Sequence, residues 1–197
     1  MTLGKKVALF ADVHGAYSTL EHALDQCQTV EVTTIALLGD LFDRAEQADR
    51  CALALSGWDV IGVYGNHERE VAVAAGDYRG ELRDETLDLL SGLQARVLID
   101  DVCFTHEEEQ WGQHDLLARI RRGDEQNGHH PDARITFAGH THFRSARDEH
   151  GPLDISRGML MLSDRRRYLI NPGALASGQY AIWDRESHVV LFHQIER

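Results

Sequence analysis

The sequence predicts an α/β fold, and three features of the 197-residue chain support this prediction. Short apolar segments recur along the first two thirds of the chain, as buried strands do. Segments with apolar residues at helical spacing separate the first three of them, and this strand–helix–strand order predicts parallel strands joined by right-handed crossovers. The C-terminal part alternates or runs apolar in short segments, which is typical of antiparallel strands and predicts a second sheet.

The predicted elements follow the chain in order, and residues 1–197 are expected to form one domain. Strands are predicted at residues 7–11, 35–38, 60–64, 95–99, 102–105 and 135–138, and an antiparallel meander at residues 158–162, 168–170, 179–183 and 189–192. Helices are predicted at residues 16–27, 44–55, 68–75 and 81–93. Residues 144–154 are predicted to be a polar loop. For residues 107–131, a cover over a site and a plain surface helix agree equally well with the sequence.

The composition is that of an ordinary folded protein, with 43% apolar and 26% charged residues. No apolar run is long enough to span a membrane, and the N-terminus lacks the apolar core of a signal peptide, so we expect a cytoplasmic protein. The net charge of −12 argues against a protein that binds the nucleic-acid backbone, although bound metal cations would still permit a phosphate-bearing substrate. The three cysteines form no C-x-x-C pair and lie among apolar residues, which predicts buried free thiols.

Five of the predicted strands end in carboxylate, amide or imidazole side chains. These side chains belong to Asp12, His14, Asp40, Asn66, His67, His106, His140 and His142. Each short motif alone is also typical of a solvated loop, a helix cap or a structural histidine. Gly39 directly precedes Asp40 and lets the backbone turn sharply and approach a ligand closely.

These strand ends are predicted to converge, because parallel strands bring their carboxyl ends to one edge of a sheet. Asp12 and His14 are two residues apart, as are His140 and His142, so each pair projects to one side of an extended backbone. Such a cluster of polar groups is unfavourable when unpaired, and bound metal ions remove that difficulty. Oxygen and imidazole donors without thiolate suit Mn, Fe, Zn, Co or Ni.

All of these side chains except His67, which could donate a proton instead, are candidate ligands. Seven ligands are more than one ion needs and suit two ions that share Asp40. Two ions about 3.5–4 Å apart are the usual arrangement for hydrolysing phosphate esters. A water that bridges them loses a proton near neutral pH and becomes the nucleophile, while the ions neutralise charge on the phosphoryl oxygens. The residues therefore predict a phosphoric ester hydrolase with two divalent ions, of which Mn is our first choice.

The same residues, in this order, resemble the motifs of the calcineurin-like metallophosphoesterase superfamily. The matching segments are Asp12-Val13-His14, Gly39-Asp40-Leu41-Phe42-Asp43, Gly65-Asn66-His67-Glu68, His106 and Gly139-His140-Thr141-His142. Asn171-Pro172-Gly173 resembles a turn that is common in the small single-domain phosphodiesterase branch. The resemblance implies a two-sheet β-sandwich flanked by helices.

The resemblance also implies a role for each candidate site residue. One metal ion would be held by Asp12, His14, Asp40 and His142, and the other by Asp40, Asn66, His106 and His140. His67 would protonate the leaving oxygen or hold the phosphate, and Asp43 would orient His67. Arg44 would contact a phosphate oxygen, although an exposed arginine at a helix start is the plain alternative.

Three observations limit what the resemblance implies about the substrate. Arg44 and Glu68 resemble residues found in the serine/threonine protein phosphatase branch. That branch, however, usually has arginine at the position of Tyr64 and often has glycine at the position of Glu107. The chain is also short for a protein phosphatase, so we expect a small soluble phosphodiester or phosphomonoester, and we expect residues 107–131 and 144–156 to determine specificity.

Two alternatives remain besides a protein phosphatase-like enzyme. One is a metal-binding scaffold with little catalysis, which the retention of His67 beside Asn66 argues against. The other is a nuclease, which the acidic composition argues against. The sequence does not predict an oligomeric state.

Overall fold

The computed structural model describes residues 2–68, 82–106 and 133–196. The predicted helix at residues 68–75, apart from its first residue, and the segment 107–131 lie outside the described residues. Within the described part, no helix has the length and apolar character needed to cross a bilayer.

Twelve strands and three helices are described. The strands are β1 Lys6–Phe10, β2 Thr34–Leu38, β3 Asp59–Val63, β4 Arg96–Ile99, β5 Val102–Thr105, β6 Ile135–Ala138, β7 Ser145–Asp148, β8 Gly151–Pro152, β9 Met159–Met161, β10 Tyr168–Asn171, β11 Gln179–Asp184 and β12 Val189–Gln194. The helices are α1 Tyr17–Thr29, α2 Ala45–Leu55 and α3 Asp84–Gly92, and a short 3-10 turn follows at Leu175–Ser177. The predicted strands and helices within the described residues are therefore confirmed, with their ends shifted by up to three residues.

The strands form two sheets of six, which confirms the α/β class and the two-sheet sandwich. The first has the order β3-β2-β1-β11-β12-β9, and its β1, β2 and β3 are parallel as predicted. The second has the order β4-β5-β6-β10-β7-β8, with β5, β6 and β10 parallel to one another. The prediction that the C-terminal strands complete the second sheet is wrong for three of them, because β9, β11 and β12 extend the first sheet and only β10 inserts into the second.

Residues 144–154 contain the β7–β8 hairpin and are not the predicted polar loop. The strands are short and lie at the edge of the second sheet, where charged side chains are common. Ala146 enters the core between the sheets, and Asp148 is buried in an ion pair with Arg166 at 2.8 Å. A polar sequence therefore forms an edge hairpin, because pairing with β10 satisfies the backbone hydrogen bonds of β7.

Apolar side chains form two layers that position the strand ends. One layer lies between the sheets and includes Leu9, Phe104 and Phe137. The other packs the outer face of the first sheet against the apolar faces of α1 and α2, through residues such as Leu20 and Cys51. All three cysteines are buried free thiols, as predicted. With both faces of the first sheet covered, β1 and β2 are held rigidly and their polar C-terminal ends emerge together.

Candidate metal centre

The structure brings the predicted strand ends together at one side of the molecule. They come from both sheets, because β1, β2 and β3 belong to the first sheet whereas β5 and β6 belong to the second. The prediction of a single sheet edge is therefore wrong. The convergence is nevertheless real, because the sandwich packs the carboxyl ends of the two parallel sets against each other. Three clusters result, and in each one the potential ligand atoms lie within 4.8 Å of one another: Asp12, His14 and His142; His14, Asp40 and His67; Asp40, His106 and His140.

The first half of the centre is the His106 group, which we define as Asp40, Asn66, His106 and His140. The Nε2 atom of His106 lies 3.3 Å from Asp40 Oδ2, 3.2 Å from Asn66 Oδ1 and 2.9 Å from His140 Nδ1. On its other side, Nδ1 of His106 lies 2.6 Å from the carbonyl oxygen of Leu38. With the proton on Nδ1 donated to this carbonyl, the lone pair of Nε2 points into the cluster, which is the tautomer that a metal ligand requires.

Burial and the contact between Asp40 and His106 have opposite effects on the pKa values of these two side chains. Asp40 is 2% exposed and His106 is 3% exposed. Burial acts to raise the pKa of Asp40, but the hydrogen bond and charge of His106 outweigh it, so the pKa lies below its ordinary value. Burial acts to lower the pKa of His106, and the same contact with Asp40 reverses this and raises it. The two side chains therefore favour each other's charged forms.

The second half is the His142 group, which we define as Asp12, His14 and His142. Nε2 of His14 lies 3.0 Å from Nε2 of His142, and that atom lies 3.5 Å from Asp12 Oδ1. Asp12 is fully buried, and burial raises its pKa to about 7. The His142 side chain is 49% exposed, so this half of the centre faces solvent.

Asp40 connects the two groups. It belongs to the same cluster as His106 and His140, and it also lies within 4.8 Å of His14 in the cluster that includes His67. The backbone N–H of His67 donates to Asp40 Oδ1 at 3.0 Å, which orients the carboxylate. Asp40 is thus the carboxylate whose oxygens lie near both groups.

His67 and Asp43 form a pair beside this carboxylate. Nδ1 of His67 lies 3.2 Å from Asp43 Oδ1, and Nε2 lies 4.0 Å from Asp40 Oδ2. The same Asp43 oxygen lies 2.5 Å from Nδ1 of His14. Arg44 is exposed at the start of α2 and forms no ion pair with the described residues, so its predicted contact with phosphate stays a prediction.

Most of the candidate ligands have a strained backbone conformation. Five of the seven predicted ligands have a positive φ angle, which side-chain-bearing residues adopt rarely: Asp12 (52°), His14 (48°), Asp40 (54°), His140 (70°) and His142 (61°). Neighbouring loops hold this geometry, since the Asp12 N–H donates to Gly39 O at 3.0 Å and the His14 N–H donates to Asp40 O at 2.9 Å. Strain of this kind is concentrated at functional sites, where it holds side chains in position.

Two glycines allow the loops to meet. A Cβ atom on Gly39 would lie 2.4 Å from Nδ1 of His106, and one on Gly65 would lie 2.0 Å from Asp40 Oδ1. Both contacts are shorter than any real Cβ contact. Only glycine therefore permits the backbone of one strand end to approach the ligands carried by the others.

No site role is predicted for Glu68 from the sequence. Its carboxylate is 2% exposed and accepts four backbone N–H bonds, from Leu41 (2.7 Å) and Phe42 (3.3 Å) to Oε1 and from Asp40 (2.9 Å) and Gly65 (2.7 Å) to Oε2. Burial raises the pKa of Glu68 while these donors act against the rise. Glu68 thereby joins the loop of Asp40 to the loop of Asn66. Its place in the Gly-Asn-His-Glu motif was the available signal.

The sequence predicts only a turn at Asn171, whereas in the structure its side chain also connects two loops. Its buried amide donates to Gly139 O at 2.8 Å and to Thr141 Oγ1 at 3.0 Å, while its oxygen accepts from the Gly173 N–H at 2.8 Å. Asn171 therefore holds the loop that carries His140 and His142. The sequence could not assign this role, because β10 and β6 become neighbours only in the folded sheet.

The donor set fits divalent metal ions. Imidazole nitrogens of different residues approach within 3.0 Å and carboxylate oxygens lie at 3.3–3.5 Å, so several lone pairs converge on the same small volumes. Cations relieve the repulsion between such lone pairs, and nitrogen and oxygen donors match Mn, Fe, Zn, Co or Ni.

Comparison with known proteins agrees with this geometry. The family model described as the calcineurin-like phosphoesterase superfamily domain matches residues 6–193. An uncharacterized protein of Methanocaldococcus jannaschii is 21% identical over 96% of this chain and 87% of its own length.

Two solved structures extend the comparison. A metallophosphoesterase from Sphaerobacter thermophilus is 26% identical, with a TM-score of 0.72 over 98% of this chain and 88% of that one. A structure described as a novel archaeal phosphodiesterase has a TM-score of 0.60 at 19% identity, over 96% of this chain and 99% of its own, and shows likeness of fold.

Proposed function

Because the chain belongs to the calcineurin-like phosphoesterase superfamily, we propose that it hydrolyses a soluble phosphodiester or phosphomonoester with the help of two divalent metal ions. The position of Asp40 is the observation that carries this proposal. Its carboxylate clusters with His106 and His140 and also with His14 of the His142 group, and one oxygen-donor residue close to ligands of both ions is what a pair of ions requires. The archaeal relative described as a phosphodiesterase supports the same reaction class through its fold.

The proposed ligands divide between the two groups. Asp12, His14 and His142 would hold one ion, Asn66, His106 and His140 would hold the other, and Asp40 would contact both. When bound, the ions supply a water of lowered pKa and positive charge for the phosphoryl oxygens. His106 and Asp40 enter this arrangement already oriented by Leu38 and by the His67 N–H, so little reorganisation accompanies binding.

His67 is the proposed proton donor. Nδ1 of His67 lies 3.2 Å from Asp43 Oδ1, which orients the ring, while Nε2 lies 4.0 Å from Asp40 Oδ2. During hydrolysis a water oxygen bonds to phosphorus, the bond from phosphorus to the leaving oxygen breaks, and a proton from Nε2 neutralises that oxygen. The products are an alcohol and a phosphate with one ester bond fewer.

The test is hydrolysis by metal-stripped protein of a chromogenic diester, bis(p-nitrophenyl) phosphate, and of p-nitrophenyl phosphate, with and without Mn²⁺. We expect turnover only with metal, and the ratio of kcat/KM for the two esters separates a phosphodiesterase from a phosphatase. Protein that binds Mn²⁺, Zn²⁺ or Co²⁺ but hydrolyses neither ester with any of them would overturn the proposal in favour of a metal-binding scaffold.

A further inference from the structure

A groove adjoins the loop that carries His140 and His142. Its volume is about 520 Å³, within the range of small-molecule sites. Thr141, which stands between His140 and His142 in the chain, lines one end of it. From there the groove follows the β7–β8 hairpin, where Arg144, Arg147, Pro152, Leu153 and Ile155 line it. A molecule that reaches the metal centre through its phosphate could therefore extend into this groove.

The groove is positively charged in an acidic protein. Arg144 and Arg147 line it, none of the described residues that line it is acidic, and the chain as a whole carries a net charge of −12. The nearby carboxylates are engaged elsewhere. Asp148 accepts from Arg166 at 2.8 Å, and Asp154 accepts from the Ser156 N–H at 2.9 Å. Neither of these two carboxylates therefore neutralises the charge of Arg144 or Arg147.

The two arginines differ in how they are held. Arg144 is fixed, because its guanidinium donates to the carbonyl oxygens of Pro172 and His193 and lies 5.6 Å from the centre of the Phe192 ring. Arg147 is not, because its buried Nε has no hydrogen-bond partner and its guanidinium forms no ion pair with the described residues. No carboxylate of the described residues compensates the charge of Arg147, and a charged hydrogen bond to an anionic ligand in the groove would do so.

Besides the arginines and the hydroxyl groups of Thr141 and Ser145, the groove is lined by apolar residues. Leu153 and Ile155 are partly buried and pack against the core between the sheets, and Pro152 is exposed on β8. Such a surface suits the flat face of a ring, whereas the arginines suit an anion. Together they fit an organic group that contains both.

We propose that this groove binds the substituent that stays on phosphorus when a phosphodiester is hydrolysed, and that this substituent is a ring-bearing alcohol with a second negative charge. This inference rests on the proposed function. The leaving oxygen is assigned to His67, which clusters with His14 and Asp40, while the retained substituent is assigned to the groove that starts at Thr141. A phosphomonoester has no retained substituent, so the groove favours a diester.

The experiment uses two substrates that differ by one phosphate group: the p-nitrophenyl ester of thymidine 5′-phosphate, and the same ester with an added 3′-phosphate. The readout is the ratio of their kcat/KM values in the Mn²⁺-loaded full chain. We expect the wild type to prefer the 3′-phosphorylated ester roughly tenfold, because a charged hydrogen bond contributes on that scale. Arg147→Gln should reduce the ratio to about one, and Arg147→Lys should retain part of the preference.

Two further variants keep the test interpretable. Pro152→Glu adds a carboxylate at an exposed position of the groove, where folding should tolerate it, and should also reduce the ratio. Arg165→Gln removes the same charge from an exposed position that does not line the groove, and should leave the ratio at its wild-type value. Thermal melting checks that each variant is folded.

The outcomes separate this inference from the proposed function. Hydrolysis of both esters without preference, or a preference that Arg147→Gln and Pro152→Glu leave unchanged, would overturn the groove assignment while the proposed function stands. Hydrolysis of bis(p-nitrophenyl) phosphate and p-nitrophenyl phosphate tests the proposed function separately. If neither thymidine ester is hydrolysed, calorimetric titration with thymidine 3′,5′-bisphosphate decides the groove. Binding that Arg147→Gln weakens severalfold supports the groove, whereas equal binding or none overturns it.

Discussion

The two halves of the candidate metal centre are held in different ways. In the His106 group, the central imidazole is buried and tied through Nδ1 to the carbonyl oxygen of Leu38, outside the cluster. In the His142 group, the His142 ring is 49% exposed, and within the described residues its polar contacts are with His14 and Asp12, themselves candidate ligands. The first half is therefore arranged by the fold, whereas the second depends more on what binds there.

Because of this difference, we expect the two groups to bind their metal ions with different affinity. A group that the fold holds in position rearranges little when it binds a cation, so the free-energy cost of binding is small. We therefore expect the His106 group to bind its ion more tightly. The His142 group lies at the solvent side, beside the groove that starts at Thr141. We expect it to exchange its ion more readily and to be the half that first meets the substrate.

The largest expected effect is that of Asp40→Asn, which tests whether the two halves depend on one carboxylate. Asparagine keeps the shape and can still accept from the His67 N–H, so the fold should persist. It removes the negative charge that both groups use, and we expect loss of both ions and a fall in kcat/KM of about 10⁴-fold. Metal analysis after gel filtration measures this. Asp59→Asn, at the opposite end of the same sheet, is the matched control. Retention of one tightly bound ion would show that Asp40 serves only one half.

His67→Ala should separate chemistry from metal binding. We expect kcat to fall by roughly 10²–10³-fold, the range that loss of a general acid produces, with metal content near that of the wild type. His22→Ala, which removes an exposed imidazole from α1, is the control. The loss should be smaller for esters with better leaving groups, because these need less protonation. A drop in metal content alongside kcat would reassign His67 as a ligand.

His142→Ala is the direct test of the comparison. We expect about a 10–100-fold loss of activity at low Mn²⁺, because one half loses a ligand while the His106 group is left intact. The protein should retain close to one ion after dialysis, and added Mn²⁺ should restore part of the activity. His106→Ala, made in parallel, should lose the tighter ion instead. Identical metal content in the two variants would contradict the division between the halves.

Glu68→Gln is expected to have the smallest effect on chemistry and a clear effect on stability. Glutamine cannot accept all four N–H bonds, because its amide group would face two of the donors. We expect the free energy of unfolding to fall by about 1–3 kcal/mol, measured by denaturant titration of the metal-free protein. Glu186→Gln removes only an exposed ion pair with Lys5 and should change it by less than about 1 kcal/mol. Equal stability of the two variants would show that Glu68 does not hold the loops.

Much of the fold was accessible from local patterns. The apolar runs of β1, β2 and β6 and the helical spacing of Leu20, Ala23, Leu24 and Cys27 in α1 agree with the structure. Local patterns did not predict the features that depend on pairing between strands distant in the sequence. The β7–β8 hairpin is polar in sequence, and nothing near Tyr168 in the chain indicates that β10 lies beside β6. Hydrogen bonding to a distant strand does not leave a local signature, so these features could not be predicted.

The sequence by itself determined which chemistry the strand ends carry. Asp12, Asp40, His106 and His140 follow apolar strands, and carboxylates and imidazoles in that position predict a metal site whatever the details of packing. Only the tertiary structure decided that the ends of two separate sheets meet, that Asp40 lies close to His14 of the other group, and that Glu68 and Asn171 hold the loops. The reason is physical: donor type is a property of each residue, whereas distances between residues up to 128 positions apart arise only when the sheets pack together.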